Sequence, residues 1–126
     1  MDHIKVLLVC PEELPKVIEI PNSLKSFQKQ VNGKIEVSYL LEDEEVCLIC
    51  NDEGKYNSFK PNRNIGYDII YGNFLIVGEN YVNGDFKSLT EKQIAKYQKL
   101  FDKESIKKTK SKINARKLVN TILSRR

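Results

Sequence analysis

An α+β single domain is the fold class this sequence predicts, with a mostly antiparallel, curved sheet, two packed helices and a basic C-terminal helix. Three observations lead there. Short apolar runs recur along the chain (HIKVLLVC, KVIEI, KIEVSYL, VCLIC, IIYGNFLIVG), separated by turn-forming residues. Before residue 103 only two stretches carry a helical period, so strands and helices do not alternate as a parallel sheet requires. The 126 residues, 40% hydrophobic and 30% charged, fit one folded domain.

Each element has its own local warrant. Residues 3–10 are rich in Val, Leu and Ile and read as a buried strand; Pro11 and Pro15 bracket a turn, and 16–20 reads as a second strand, the two forming a hairpin. Asn22 or Ser23 caps a helix in which Leu24, Phe27 and Val31 share one face, and Asn32-Gly33 stops it, with Gly33 free to take positive φ. Residues 34–40 alternate, with Ile35, Val37 and Tyr39 on one face. The acidic turn 42–45 leads into the buried strand 46–50. The apolar run 69–78 contains Gly72, which marks a bulge, a bend or a break into two short strands. Asn83-Gly84-Asp85 is a turn. Thr90 and Gln93 have capping-box spacing, Leu89 and Ile94 that of a hydrophobic staple, and Ile94, Tyr97 and Phe101 form the inward stripe of the second helix.

Charge divides the chain. Residues 1–102 hold 12 basic and 16 acidic side chains, net −4, whereas 103–126 hold 9 basic and one acidic, net +8. The organisation expected is an α+β domain over 1–102 and a basic amphipathic tail over 103–126, polar to about Lys112 and then helical after a hinge. In that helix Ala115, Leu118, Val119 and Ile122 share one face, away from Lys112, Arg116 and Lys117. The tail suits a nucleic acid by salt-dependent contact, a protein partner or second copy by its apolar face, or packing back on the domain. It lacks the aromatic residues of a membrane-surface helix, so no membrane partner is expected. Tail contacts are assigned to Lys112, Arg116, Lys117, Arg125 and Arg126.

Several chemistries are disfavoured. Three cysteines in a chain that starts without a signal-peptide pattern argue against a disulfide framework and make the cytoplasm the expected compartment. Cys47-x-x-Cys50 lies inside an apparent strand, where residues three apart point to opposite faces, so it reads as packing rather than as a redox or metal pair. A single histidine gives no relay or multi-histidine metal site, and no phosphate-binding glycine motif occurs. No catalytic residue, metal or cofactor is expected.

The polar window 51–65, NDEGKYNSFKPNRNI, is the main candidate site of the body. Pro61 stiffens it, Asn62 offers both a donor and an acceptor, and Arg63 carries a fork suited to phosphate or carboxylate. The candidate ligand- or partner-binding residues are Asn51, Glu53, Lys55, Lys60, Asn62, Arg63 and Asp68. The competing reading is structural: Arg63 pairs with Asp68 or Glu53, and Asn62 ties the loop to a strand edge.

Taken in order, KVLLV, PKVIEIPNSLKSFQKQVNGKIEV, VCLICNDEGK, PNRNI, DIIYGNFLIVG and DFKSLTEKQIAKY resemble the domain-of-unknown-function family 3846 over about residues 4–101. Its most characteristic pieces fall on Asn51, Glu53, Gly54, Lys55, Pro61, Asn62, Arg63, Asp68 and Gly72. The resemblance implies a small accessory protein of phages, plasmids or conjugative elements of Gram-positive bacteria, and carries no activity with it. The expected function is a non-enzymatic binding protein that captures a macromolecular partner, host protein or nucleic acid, with counter-defence as one setting. The alternative is a small-ligand binder or sponge for a phosphate-bearing signalling nucleotide. A sheet edge or the tail helix could each support a homodimer.

Overall fold

The computed structural model describes residues 2–39, 41, 43, 45–66 and 68–124, with side chains to residue 123. Its elements are β1 (His3–Val9), β2 (Lys16–Pro21), α1 (Leu24–Val31), β3 (Ile35–Ser38), β4 (Val46–Asn51), β5 (Pro61–Asn64), β6 (Ile69–Tyr71), β7 (Phe74–Glu79), β8 (Phe86–Lys87), α2 (Glu91–Leu100) and α3 (Lys103–Ser124). The main sheet has the order β2-β1-β7-β4-β3, with β8 pairing the far end of β7, and every pairing is antiparallel. β5 and β6 form a separate antiparallel ribbon. The chain is α+β, as its composition of elements predicts.

β4 explains the layering. All six of its residues are buried, which only a strand covered on both faces allows. Leu48 and Cys50 face one cluster with Leu7, Val9, Phe74 and Ile76, closed by Tyr97 of α2 and by Leu89 and Phe101. Cys47 and Ile49 face the other, with Val6, Leu75 and Val77, closed by Phe27 and Val31 of α1. Each such aliphatic side chain removed from water contributes about 1.5–3 kcal/mol. The two cysteines thus fall on opposite faces, as strand geometry requires, and all three thiols are free.

Capping follows the sequence closely. The Ser23 hydroxyl accepts from Ser26 N–H (3.2 Å) and begins α1, while Asn22 Nδ2 donates to the Phe86 carbonyl (2.9 Å) and ties the helix start to β8. Asn32-Gly33 ends α1 as expected: Asn32 takes the left-handed conformation (φ 62°) and Gly33 follows with positive φ (150°). Thr90 and Gln93 form a full capping box at α2. Leu24 departs from expectation: it is exposed, and the buried face of α1 is Phe27 and Val31. β3 ends at Ser38, so Tyr39 leaves the sheet; it is exposed and its hydroxyl donates to Glu79 Oε1 (3.3 Å).

The largest revisions lie in the window and the tail. Gly72 (φ +80°) breaks the run 69–78 into two short strands, one of the expected readings, but the two, β6 and β7, belong to different sheets. Part of the window is not loop, because Pro61–Asn64 is β5 and pairs with β6. Residues 103–112 are not a hinge. They are the first turns of α3, begun by Asp102, whose Oδ1 accepts from Glu104 N–H (3.0 Å) and Ser105 N–H (3.3 Å). This root of α3 packs against β5 with Thr109 buried.

Candidate functional site

The window was expected to display polar side chains; the structure buries the central ones. Arg63 is completely buried and meets neither Asp68 nor Glu53. Its guanidinium donates to the carbonyls of Glu13 (2.6 Å), Phe101 (3.0 Å) and Cys10 (3.5 Å), and to Asn62 Oδ1 (2.8 Å) and the Asn62 carbonyl (3.4 Å). Burial pulls its pKa below the ordinary arginine value, against the opposing pull of Asp102. Asn62 Nδ2 donates to the carbonyls of Val9 (2.9 Å) and Gly72 (2.8 Å), so it does tie the window to a strand end. Asn51 is buried too: Nδ2 donates to the carbonyls of Val31 (3.0 Å) and Asn32 (3.2 Å), closing the end of α1, while Oδ1 accepts from Glu53 N–H (2.7 Å).

Gly54 completes this framework, since a Cβ there would stand 2.6 Å from the Tyr71 carbonyl. Gly54, Asn62, Arg63 and Gly72 therefore lock the β5–β6 ribbon onto the sheet, largely through buried, hydrogen-bonded polar groups, while Arg63 Nε is buried without a partner. Asn62 and Arg63 are not available to a ligand at the surface.

The remaining window candidates lie at the surface. Glu53 and Lys60 are exposed. Lys55 Nζ pairs with Asp68 Oδ1 at 2.9 Å and lies 5.9 Å from the centre of the Tyr71 ring. The bond from Lys55 holds the Asp68 carboxyl below its usual pKa, with Ile69 N–H and the Arg116 charge acting in the same direction. The charge of Arg116, on the tail, thus reaches Asp68. A shallow depression of about 140 Å³ lies there, with Asn51, Lys55, Asp68 and Tyr71 among its walls.

α3 has two halves of different character. In the root, Ile106, Thr109, Lys112 and Ile113 face the body. Thr109 Oγ1 accepts from Asn64 N–H (2.9 Å), and Lys112 Nζ donates to Asn64 Oδ1 (3.0 Å) and the Gly66 carbonyl (3.0 Å). Lys112, expected as a tail contact, is therefore engaged within the fold. From 114 to 123 every residue is exposed, so about 15 Å of helix stands clear of the body. Leu118, Val119, Ile122 and Leu123 are each more than half exposed. At about 100° per residue, the stripe of Ala115, Leu118, Val119 and Ile122 is turned roughly 140° from the face the root buries. The stripe is therefore not a continuation of the packed face. Arg116 and Lys117 lie on other faces of the same segment, exposed; Arg125 and Arg126 lie outside the described residues.

A third feature had no sequence signal, because it is built from α2, α3 and the ribbon together. Two adjoining clefts of about 420 and 530 Å³ share Asn64, Lys96 and Leu100.

Among the described residues no group of three or more His, Cys, Asp or Glu is placed to hold a metal ion, and no helix is long and apolar enough to cross a membrane. The acidic turn is engaged where it is described: Asp43 accepts from the Tyr97 hydroxyl (3.3 Å) and Glu45 lies 3.5 Å from Lys87 Nζ, while Glu42 and Glu44 lie outside the described residues.

A family model described as a domain of unknown function (DUF3846) matches residues 4–102. The match ends one residue before α3 begins. No curated protein and no solved structure matches the chain significantly.

Proposed function

The chain belongs to the DUF3846 family, and we propose, from its own surface, that it is a binding protein without catalytic activity, which captures a protein partner through the outer half of α3. The carrying observation is the stripe of Leu118, Val119 and Ile122, fully presented on a helix that stands clear of its own domain. An amphipathic helix of this kind is recognised by laying its apolar face into a hydrophobic groove. The net charge of +8 over residues 103–126 selects a groove with an acidic rim, which speeds encounter and sets orientation. The same charge disfavours a tail-to-tail second copy. A nucleic acid would use the cations and leave the stripe in water, so the stripe favours protein. The mobile-element setting and a role in counter-defence belong to this proposal as its biological context.

The test is affinity capture from the natural host with the tagged full chain, with and without nuclease. The proposal expects one protein to be recovered in a nuclease-resistant manner and lost with Leu118→Ser/Ile122→Ser and with Arg116→Glu/Lys117→Glu. Equal recovery by the apolar variant, or recovery that nuclease abolishes, overturns it. Light scattering on the purified chain reads the homodimer directly: a dimer dispersed by the apolar variant would put a second copy in the partner's place.

A further inference from the structure

We propose that the paired cleft between α2, the root of α3 and the β5–β6 ribbon is a binding site for a small phosphate ester carrying a flat apolar group. This rests on residues other than those of the projecting stripe and stands or falls separately from the partner reading.

The first lobe, about 420 Å³, has an apolar floor of Leu41, Ile65, Leu100 and Phe101. The second, about 530 Å³, is bordered by Lys99 of α2 and by Ser105 and Lys108 of α3. Asn64 and Lys96 stand where the lobes meet. Each volume falls within the range of about 300–1,000 Å³ common for small-ligand pockets, and the combination of apolar floor and few convergent polar groups is what such pockets show.

The charges narrow the ligand. Lys96 has Asp43 at 3.8 Å, but Lys99 and Lys108 have no acidic partner within ion-pair distance among the described residues. Two unpaired ammonium groups from two helices favour an anion in the second lobe. No arginine lines either lobe, which favours phosphate, taken as a point charge, over a carboxylate held by a planar fork. The acids at the rim are already engaged: Asp102 Oδ1 accepts from Glu104 and Ser105 N–H, and Glu104 lies 3.6 Å from Lys107 Nζ. Ser105 Oγ is buried without a hydrogen-bond partner at the same border, a donor still to be satisfied. Leu100, half exposed on the floor, gives a flat ring a surface to cover.

The experiment is an NMR titration of the full ¹⁵N-labelled chain at low salt with phenyl phosphate, with inorganic phosphate and phenol as comparators. The expected result is chemical-shift change centred on Asn64, Leu100 and Ser105, with phenyl phosphate binding at least tenfold more tightly than either comparator. The Lys99→Glu/Lys108→Glu variant should lose at least tenfold. Both side chains are exposed, so the variant keeps the fold. Leu100→Lys should retain phosphate binding but abolish the preference for the phenyl ester. Phenyl phosphate binding no tighter than inorganic phosphate, shifts centred on residues 115–123, or an unchanged affinity in the double variant each overturn the assignment. Leu118→Ser/Ile122→Ser should titrate like the natural chain, which separates this site from the partner surface.

Discussion

Replacing Arg63 should damage the fold rather than a binding surface. In Arg63→Ala the carbonyls of Glu13 and Phe101 and the Asn62 side-chain oxygen lose their closest donor. Each buried acceptor left unsatisfied costs about 1–3 kcal/mol, and water entering the vacated space recovers part of that. Lost packing of the buried stem adds about 1–2 kcal/mol. Against this, removing a buried cation without an acid partner returns some desolvation energy. The net loss should be about 4 kcal/mol, a large share of the roughly 5–15 kcal/mol by which domains are stable. With a urea m-value of about 2 kcal/mol/M, the midpoint should fall by about 2 M. Arg63→Met keeps the stem and removes both charge and donors, so it should lose about half as much. Arg63→Lys should sit near Arg63→Ala, because one ammonium cannot serve carbonyls spread around a planar fork. Urea unfolding followed by circular dichroism measures all three. A loss below about 1 kcal/mol in Arg63→Ala with an unchanged m-value would refute the reasoning and return Arg63 to the surface role its sequence context suggested.

Other perturbations separate the remaining parts of the molecule. Deleting residues 115–126 should change the urea midpoint little, whereas deleting 103–126 should lower it clearly, because the latter uncovers Asn64 and removes Thr109 and Lys112. In the native chain at pH 8, iodoacetamide should modify Cys10 well before the others by mass spectrometry, since burial pushes the Cys47 thiol up to about 12 and that of Cys50 up to about 11. Rapid modification of Cys47 without denaturant would contradict the two-faced sheet. The Lys55–Asp68 pair should stabilise by less than about 1 kcal/mol, both groups being about half exposed. The Asp68 pKa is lowered in the fold, so its contribution is complete above the unfolded value, about 3.9, and is lost as pH falls through the folded value. The Lys55 pKa is raised by Asp68, so at the alkaline end the contribution is lost as pH rises through the folded lysine value. Lys55→Met should move the Asp68 titration upward by NMR; an unmoved titration would mean the pair does not form in solution.

What could be read from the sequence depended on how local the physics was. The strand of VCLIC, the opposite faces of Cys47 and Cys50, the Thr90 capping box and the inward Tyr97 follow from spacing alone, and the structure has them. β5 was hidden because PNRN carries no apolar alternation; its pairing is determined by β6 and by buried polar groups. Arg63 was misplaced for the same reason, since its partners are backbone carbonyls 38 to 53 residues away and carry no side-chain signal. The root of α3 was legible in part: Asp102 is an ordinary N-cap residue, and Ile106 and Thr109 stand three apart. The clefts were not legible, because they exist only where three elements meet.

The buried arginine also bears on the tail. One of its bonds goes to the Phe101 carbonyl, at the junction between α2 and α3. A second goes to Glu13 and a third to Cys10, both in the β1–β2 connection. The residue therefore joins the end of the family-matched region to the sheet and directs where the next helix leaves. Below that junction Thr109 and Lys112 hold the root of α3 against Asn64, the neighbour of Arg63 on β5. A helix anchored over its first three turns and free over its last three loses little orientational freedom on docking, which favours affinity through preorganisation. The window thus contributes to recognition indirectly. Its polar residues aim the helix that carries the exposed stripe and frame one wall of the lysine-bordered cleft, so changing Asn62 or Arg63 should disturb both surfaces at once, whereas changing Leu118 or Lys99 should disturb only one.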